Sequence, residues 1–431
     1  MKRDLSLYAI LKKILSELNE QIVDHGERVA YLYLKMAEYR QRPNDTHLEN
    51  MMLACYAHDI GAYKTEKFKD LLKFDIDHPL EHCIYGYLFM KYFSPLKDSA
   101  EVLLYHHTYF ADREKYESPY LDDGILIHFL DRIDIFNLKF DNKEDLYNQA
   151  LHGAGNNFNP RDVEEFIEAD QHYGLIEHLR DGTYRIDVRN YFNEPQRVER
   201  LIAPIVNMLA YEIDFKSEQT VVHSITVTLF SGIIATHLGL SPAEVEEIEY
   251  AARVHDLGKI AIPDTILEKP GKLTPDEYHI MKKHMLYTDL IIGELFPDSI
   301  VRIAVRHHER LDGSGYPLGL VASELSTADR VLQVADVASA LLQKRSYKDA
   351  MDKETVLDIL QWNADEGKLD ADIVSLFARE YDVIVPEVKE KSQDIIAAYE
   401  NLQAEYQQIL DEQAKIEHEA IDEFDLLPSL K

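Results

Sequence analysis

Two series of histidine and aspartate residues carry the chemistry that this sequence could perform. The first series is His25, His58, Asp59, His82, His106, His107 and Asp131. The second series is His223, His255, Asp256, His284, His307, His308 and Asp336. Matching members lie between 197 residues (His58 to His255) and 205 residues (Asp131 to Asp336) apart. An ordered set that occurs twice indicates an internal duplication rather than scattered core histidines.

The residue types in each series are those of a metal centre. Histidine and aspartate ligands without cysteine suit iron, manganese or zinc. Each series offers more ligands than one tetrahedral ion needs, so it predicts two ions about 3.5–4 Å apart. An aspartate directly after a histidine can bridge two such ions. The pair would lower the pKa of a bridging water and hold a phosphoryl oxygen, which outlines a phosphoester hydrolysis site.

The elements that position these residues are predicted to be helices. Apolar residues recur at helical spacing over residues 5–20, 26–41, 47–58, 222–238, 242–256, 275–296 and 350–363. Ser241 followed by Pro242 and Glu244 predicts a helix start, and Gly61 and Gly258 are expected at helix C-caps. Residues 183–189 are the one stretch that could form a short hairpin arm. The predicted fold class is therefore all-α.

The duplication predicts two tandem helical domains, at about 1–190 and 191–386, followed by an acidic helical tail over 387–431. Apolar or aromatic residues in the tail follow a short heptad-like spacing, at Ile395, Tyr399, Leu402, Tyr406, Ile409 and Ile416. Two interpretations remain open for this tail. It is either one helix lying on the body of the protein or a coiled coil that forms a homodimer.

Charge and composition limit the partners and the location. Asp and Glu outnumber Lys and Arg by 78 to 46, which gives a net charge of −32. Such a surface repels DNA and anionic lipid, so we expect no DNA partner. The two cysteines, Cys55 and Cys83, exclude a disulfide framework and predict no zinc-thiolate site. No apolar run is long enough to span a bilayer, and the first twenty residues lack a signal-peptide core, so we predict a cytoplasmic protein.

Longer motifs in the second repeat identify a family. The segments are HDLGKIAIPD (255–264), LEKPGKLT (267–274), HHERLDGSGYP (307–317), VADVA (334–338) and KRSYK (344–348). Together they closely resemble the HD-GYP family over about residues 220–385. The resemblance implies an all-helical HD fold with two or three metal ions. It also implies hydrolysis of the bacterial second messenger cyclic di-GMP to linear pGpG, to GMP, or to both.

The resemblance assigns roles by position in the second repeat. The seven members of the second series look like the metal ligands, with Asp256 as the bridging carboxylate. Lys259 resembles the lysine that contacts the scissile phosphate and assists the leaving oxygen. The other substrate contacts implied are Arg310, Arg345 and Lys348, with the loop residues Asp312, Gly313, Tyr316 and Pro317.

The implied mechanism is attack of a metal-bridging hydroxide on phosphorus, with both ions and Lys259 neutralising the growing charge. The metals expected are iron or manganese, in preference to zinc, nickel or magnesium. Some family members carry a glutamate one helical turn before the first histidine, which supports a third metal. This sequence has Gln219 there, and a neutral amide is the weaker ligand, so we predict two metals.

The first repeat keeps all seven candidate ligands but lacks the GYP loop. Ala62 stands at the position of Lys259, and no Arg-x-x-Lys pair follows Asp131. We therefore predict a degenerate HD domain with a second binuclear centre and a regulatory or sensory role. An active site for a different phosphoester and a pure scaffold remain alternatives.

Other functions remain open for the whole chain. The substrate could be another cyclic dinucleotide, a linear dinucleotide or a nucleotide. Alternatively, both domains could hold metal and respond to ligand, redox state or oxygen without turnover. A di-iron oxygenase is a further alternative, against which the GYP loop argues.

Overall fold

The computed structural model describes residues 6–16, 20–62, 80–214, 218–267, 269, 271–343 and 351–425, and over these it is all-helical, as predicted. The first half contains α1 (Leu7–Ser16), α2 (Glu20–Tyr39), α3 (Thr46–Tyr56), α4 (Leu80–Phe93), α5 (Leu121–Lys139), α6 (Lys143–Gly153), α7 (Pro160–Tyr173), α8 (Leu175–Asp181), α9 (Tyr184–Phe192) and α10 (Pro195–Asp214). The second half contains α11 (Glu218–His237), α12 (Pro242–Val254), α13 (Asp264–Leu267), α14 (Pro275–Lys282), α15 (His284–Ile292), α16 (Asp298–Val305), α17 (Thr327–Leu342), α18 (Lys353–Asp365), α19 (Ala371–Arg379) and α20 (Tyr381–Asp425). Short 3-10 helices lie at Lys97–Leu104, Phe110–Lys115, Leu257–Ala261 and Ala322–Glu324.

The chain forms two compact units. Ile202–Ala397 make up the C-terminal unit, and Leu7–Leu201 join with the chain from Ala398 onward in the N-terminal unit. Helix α20 therefore begins in one unit and ends in the other. This division into units does not test the predicted domain boundaries near residues 190 and 386, which stay predictions.

Both repeats place their candidate ligands on the same succession of elements. The first histidine lies in α2 or α11, and the His-Asp pair follows α3 or α12 directly. The third histidine lies in α4 or at the start of α15, and the paired histidines follow Lys97–Leu104 or α16. The last aspartate lies in α5 or α17. This correspondence supports the duplication inferred from spacing.

Local sequence explains where several helices begin. Ser241 and Glu244 form a capping box with Pro242 in the first turn of α12, as expected. Thr274 and Glu277 form the same motif at α14. These caps fix the helices that lead into the second His-Asp pair and the third histidine.

The expected hairpin arm at 183–189 is wrong, because this segment lies in α9. Tyr184, Val188, Tyr191 and Phe192 are buried at helical spacing. Burial of these large side chains against the N-terminal unit outweighs the β propensity of the tyrosines and valine.

The expected C-cap role of Gly61 and Gly258 is also wrong. Neither adopts the left-handed conformation that favours glycine at a C-cap. A Cβ at Gly258 would lie 1.9 Å from the His284 carbonyl oxygen, and one at Gly61 would lie 2.0 Å from the His82 carbonyl oxygen. Each glycine is needed because the backbone after the His-Asp pair passes directly against the helix of the third histidine.

In the portion that belongs to the N-terminal unit, α20 packs on α4. Tyr406 stacks on Tyr85 with ring centroids 4.2 Å apart. Lys91 Nζ donates to Glu405 Oε2 at 2.9 Å, and the Tyr92 hydroxyl donates to the same carboxylate. No described helix is both long and apolar enough to cross a bilayer.

Candidate metal centres

The C-terminal centre is built around the carboxylate of Asp256. Its Oδ2 atom faces His255 Nε2 at 3.2 Å and His223 Nε2 at 3.9 Å. Its Oδ1 atom faces His284 Nε2 at 3.5 Å and His307 Nε2 at 3.8 Å. One carboxylate thus presents each oxygen to a different pair of imidazoles, which is the arrangement that a bridging ligand needs.

The remaining predicted ligands complete two neighbouring groups. Asp336 Oδ1 lies 3.1 Å from His223 Nε2, and Asp336 Oδ2 lies 4.0 Å from His308 Nδ1. Two sets of donor atoms each lie within 4.8 Å of one another: His223, His255 and Asp256 in one, and His284, His307 and His308 in the other. All seven residues of the second series therefore converge.

Hydrogen bonds orient the imidazoles for coordination. The Nδ1 atoms of His255, His284 and His307 lie 2.6–2.7 Å from the backbone oxygens of Ala252, Met281 and Ala304. An Nδ1–H that donates to these oxygens leaves Nε2 as the free lone pair. The Nε2 atoms of these three histidines and Asp256 Oδ1 are buried without hydrogen-bond partners among the described residues. Buried polar atoms of this kind need a ligand, so the site fits metal ions.

Electrostatics and burial keep Asp256, Asp336 and His308 in the protonation states that bind metal. Burial alone would raise the pKa of Asp256, but His255 and Lys259 outweigh it and hold the pKa well below its usual range. Asp336 is held low in the same way, by His223 above all. Burial lowers the pKa of His308 to about 3, which keeps this imidazole neutral. Anionic carboxylates and neutral imidazoles are the forms that bind metal.

Lys259 lies at the edge of this centre. Its Nζ atom donates to Asp256 Oδ2 at 2.5 Å. The lysine side chain is only 20% exposed, and it contacts the same Oδ2 atom that faces His255 and His223. Lys259 is therefore placed beside the candidate metals, while Arg345 and Lys348 lie outside the described residues.

The loop after His308 is held by a residue that the sequence reading did not single out. Glu309 is fully buried, and its carboxylate accepts from the backbone N–H groups of Leu318 at 2.6 Å and Leu320 at 2.9 Å. Its place within the HHERLDGSGYP string was the available signal. Asp312 is exposed and accepts from the Ser314 N–H at 2.9 Å, so it shapes the turn that Gly313 continues with a φ of +80°.

This loop brings Tyr316 against His308. The Tyr316 ring lies 4.8 Å from the His308 ring, and its N–H donates to the His308 carbonyl oxygen at 3.2 Å. Lys282, also unpredicted, lies over the Tyr316 ring at 4.9 Å. A buried Arg310 Nη1 atom has no hydrogen-bond partner among the described residues, which leaves it available for a ligand. Pro317 follows Tyr316 at the exposed edge of the loop.

The N-terminal centre reproduces the same geometry around Asp59. Its Oδ2 atom faces His58 Nε2 at 3.5 Å and His25 Nε2 at 3.9 Å. Its Oδ1 atom faces His82 Nε2 at 3.7 Å and His106 Nε2 at 3.8 Å. His107 Nε2 lies 3.1 Å from His82 Nε2, and Asp131 Oδ1 lies 3.0 Å from His25 Nε2. The first series therefore converges as well.

Neighbouring residues make the N-terminal centre different from its counterpart. Arg132 donates to Asp131 Oδ2 at 2.7 Å, and the equivalent position next to Asp336 is Val337. His25 Nδ1 lies 2.7 Å from Asp134 Oδ2, whereas His223 Nδ1 lies 3.1 Å from the Ser339 hydroxyl. Burial alone would lower the pKa of His25, but the carboxylates of Asp131 and Asp134 raise this pKa to about 10.

A cysteine and a sixth histidine join the N-terminal centre. Cys83 forms one group with His82, His106 and His107, and His128 forms another with His107 and Asp131. Burial alone would raise the pKa of the Cys83 thiol, but His106 and His82 lower it to about 6. Cys83 therefore lies within a candidate ligand group, although the sequence predicts no zinc-thiolate site. The adjacency of Cys83 to His82 was the signal that could have found it.

Comparisons with known proteins give one family match and several similar proteins. Residues 206–373 match the family model described as HD domain. A 3'3'-cGAMP-specific phosphodiesterase of Vibrio cholerae is 27% identical over 394 residues, which cover 86% of this chain and 90% of that protein. A cyclic di-GMP phosphodiesterase response regulator of Xanthomonas campestris is 43% identical over 180 residues, which cover 41% of this chain and 46% of that protein. A solved cyclic GMP-AMP-specific phosphodiesterase of V. cholerae aligns with 88% of this chain and 98% of that chain, at 19% identity and a TM-score of 0.46.

The family-model match identifies residues 206–373 as similar to an HD domain. The HHERLDGSGYP loop, which resembles the HD-GYP family, lies within this region.

Proposed function

We propose that this chain, a metal-dependent phosphodiesterase, hydrolyses a cyclic dinucleotide in its C-terminal repeat. The observation that carries the proposal is the Asp256 carboxylate, whose two oxygens face two separate pairs of imidazoles beside the HD-GYP loop. We propose cyclic di-GMP as the substrate and linear pGpG, GMP or both as products.

Two divalent ions, iron or manganese, would be held by the second series, with Asp256 between them. When bound, such a pair supplies a nucleophilic water at neutral pH and charge stabilisation for the phosphoryl group. Two ions account for two groups of ligands that share one carboxylate.

The chain's own residues bind and orient the substrate. We propose that Lys259 gives up part of its hydrogen bonding with Asp256 and contacts the scissile phosphate. Among the described contacts, its ammonium is the cation nearest to the bridging carboxylate. Arg310 would bind a second phosphate through its unpartnered Nη1 atom. The Tyr316 ring, which packs on His308, would limit the space for a base. Arg345 and Lys348 remain predicted contacts.

We propose a regulatory role for the N-terminal repeat, with its own metal centre. Its ligands converge as well as those of the C-terminal repeat, but a buried Ala62 replaces Lys259, and the loop after His107 has no GYP sequence. Without these groups the repeat retains the means to bind metal but lacks the cations proposed to hold phosphate.

A second substrate, 3'3'-cGAMP, is favoured by one specific observation. The relative that aligns across both repeats carries this specificity in its name, whereas the cyclic di-GMP relative aligns with less than half of this chain. Both substrates contain the same phosphodiester linkages, so the metal centre itself does not distinguish between them.

The test is turnover of cyclic di-GMP and 3'3'-cGAMP by anaerobically purified protein loaded with Fe(II) or Mn(II). Products are separated by chromatography, and the Asp256→Ala variant is the control. Product formed by the wild type alone supports the proposal, and the ratio of rates assigns the substrate. Absence of product from either substrate, with metal bound, would favour a metal-centred sensor without turnover.

A further inference from the structure

The N-terminal centre contains a ligand type that its counterpart lacks. Cys83 follows His82 on α4 and is buried, with Sγ 3.9 Å from His82 Nε2. The equivalent residue after His284 is Met285. A thiol can lose a proton and bind a metal as a thiolate, whereas a thioether is a weak neutral ligand.

The donor atoms around Cys83 have the spacing of one tetrahedral site. His82 Nε2 lies 3.2 Å from His106 Nε2 and 3.1 Å from His107 Nε2. Nitrogen ligands about 2.0–2.1 Å from a tetrahedral ion would stand roughly 3.3 Å apart. The three imidazole donors and Cys83 Sγ, four atoms in all, lie within 4.8 Å of one another. His106 Nδ1 lies 2.7 Å from the Leu103 carbonyl oxygen, which fixes Nε2 as the metal-facing atom.

The carboxylate next to this group is partly neutralised. Arg132 donates to Asp131 Oδ2 through both Nε, at 3.1 Å, and Nη2, at 2.7 Å. Asp131 is therefore a poorer ligand for a hard ion than Asp336, which has no arginine beside it in sequence. Replacing carboxylate character by thiolate character moves the preference of a site away from manganese and iron and towards zinc.

We propose that His82, Cys83, His106 and His107 form a zinc site of three histidines and one cysteine, so that the two repeats hold different metals. This inference rests on the proposed metal centre of the N-terminal repeat and specifies its ligand and ion. A closed tetrahedral zinc site leaves no open position for substrate, which agrees with a structural or regulatory role for the repeat.

Cobalt substitution tests the thiolate directly. The chain has two cysteines, so a thiolate-to-cobalt charge-transfer band in the ultraviolet has two candidate sources. Full-length protein loaded with Co(II) is compared as wild type, Cys83→Ser and Cys55→Ser. Cys55 is the matched control because it is equally buried but belongs to none of the ligand groups. We expect the band in the wild type and in Cys55→Ser, and its loss in Cys83→Ser.

The number of metal ions bound per chain distinguishes failure of the cysteine-ligand inference from failure of the proposed N-terminal metal centre. Cobalt per chain is measured in Asp256→Ala, which loses the carboxylate between the ligand groups of the C-terminal repeat. Cobalt retained by Asp256→Ala without a thiolate band overturns the cysteine ligand and keeps the N-terminal metal centre. No cobalt in Asp256→Ala overturns both. A band that persists in Cys83→Ser also overturns the assignment.

A measurement without a cysteine variant covers the case in which Cys83→Ser fails to fold. Zinc-loaded Asp256→Ala, still carrying Cys83, is examined by X-ray absorption at the zinc edge. We expect one sulfur at about 2.3 Å among nitrogen ligands. A shell of nitrogen and oxygen alone contradicts the proposal.

Discussion

At the residue scale, the two aspartates of the His-Asp pairs make the same contacts in settings of different chemistry. Asp256 accepts a hydrogen bond from Lys259 and lies beside the HD-GYP loop. In the first repeat, Ala62 stands at the position that corresponds to Lys259. The difference in function between the repeats therefore lies in the groups around the carboxylate.

Replacing Asp256 by alanine should abolish hydrolysis, because both groups of ligands lose the carboxylate that lies between them. Metal per chain should fall along with the rate, as measured by elemental analysis and product chromatography. Asp59→Ala is the matched variant and should keep a measurable rate. Normal metal content with unchanged turnover in Asp256→Ala would refute the assigned site.

Lys259→Ala should lower kcat by about 10²-fold, since one cationic donor to the transferred phosphate is lost. Metal content should not fall, because Lys259 is not a metal ligand. Lys353→Ala removes the same charge from an exposed pair with Asp382 and serves as the control. Equal rate losses in both variants would show a general charge effect instead.

At the element scale, the sequence was sufficient to predict an all-helical chain and the repeated order of histidines and aspartates, but not that residues 184–192 form a helix. Residue spacing predicts these features because the order of the ligands and the helical periodicity are both visible in the sequence. It could not find Glu309, whose role depends on two backbone N–H groups that fold back from nine and eleven residues away. It likewise missed Cys83, because a single cysteine shows its chemistry only when three histidines are seen around it.

The close approach of two backbones at Gly258 was also hidden from the sequence. Gly258→Ala should destabilise the C-terminal unit by about 3 kcal/mol, since the new Cβ would collide with the backbone oxygen of His284. Calorimetry measures the shift. Gly232→Ala is the control, because its new Cβ would meet the end of the Glu249 side chain, which can move. Matching shifts in the two variants would argue against a special constraint at Gly258.

At the scale of the whole molecule, α20 supplies part of the N-terminal unit from far along the chain. The sequence left two interpretations for this tail, and the contacts of Tyr406 and Glu405 with α4 support a helix that packs within the chain. A coiled-coil homodimer stays an untested prediction.

Tyr406→Ala should destabilise the N-terminal unit by about 1 kcal/mol, because the stacked pair with Tyr85 is lost. The exposed neighbour Gln407 provides the control as Gln407→Ala. Thermal unfolding followed by circular dichroism measures both. A Tyr406→Ala protein as stable as Gln407→Ala would show that the stacking contributes nothing.

The division of the N-terminal unit between two distant parts of the chain sets an order on biosynthesis. A ribosome makes Leu7–Leu201 first, but the segment from Ala398 onward that completes this unit is made only after the entire C-terminal unit. The domain that is translated first is therefore the one that finishes folding last. During that interval α20 does not yet cover the surface of α4 around Tyr85. The neighbouring His82 and Cys83 are already present on the nascent chain.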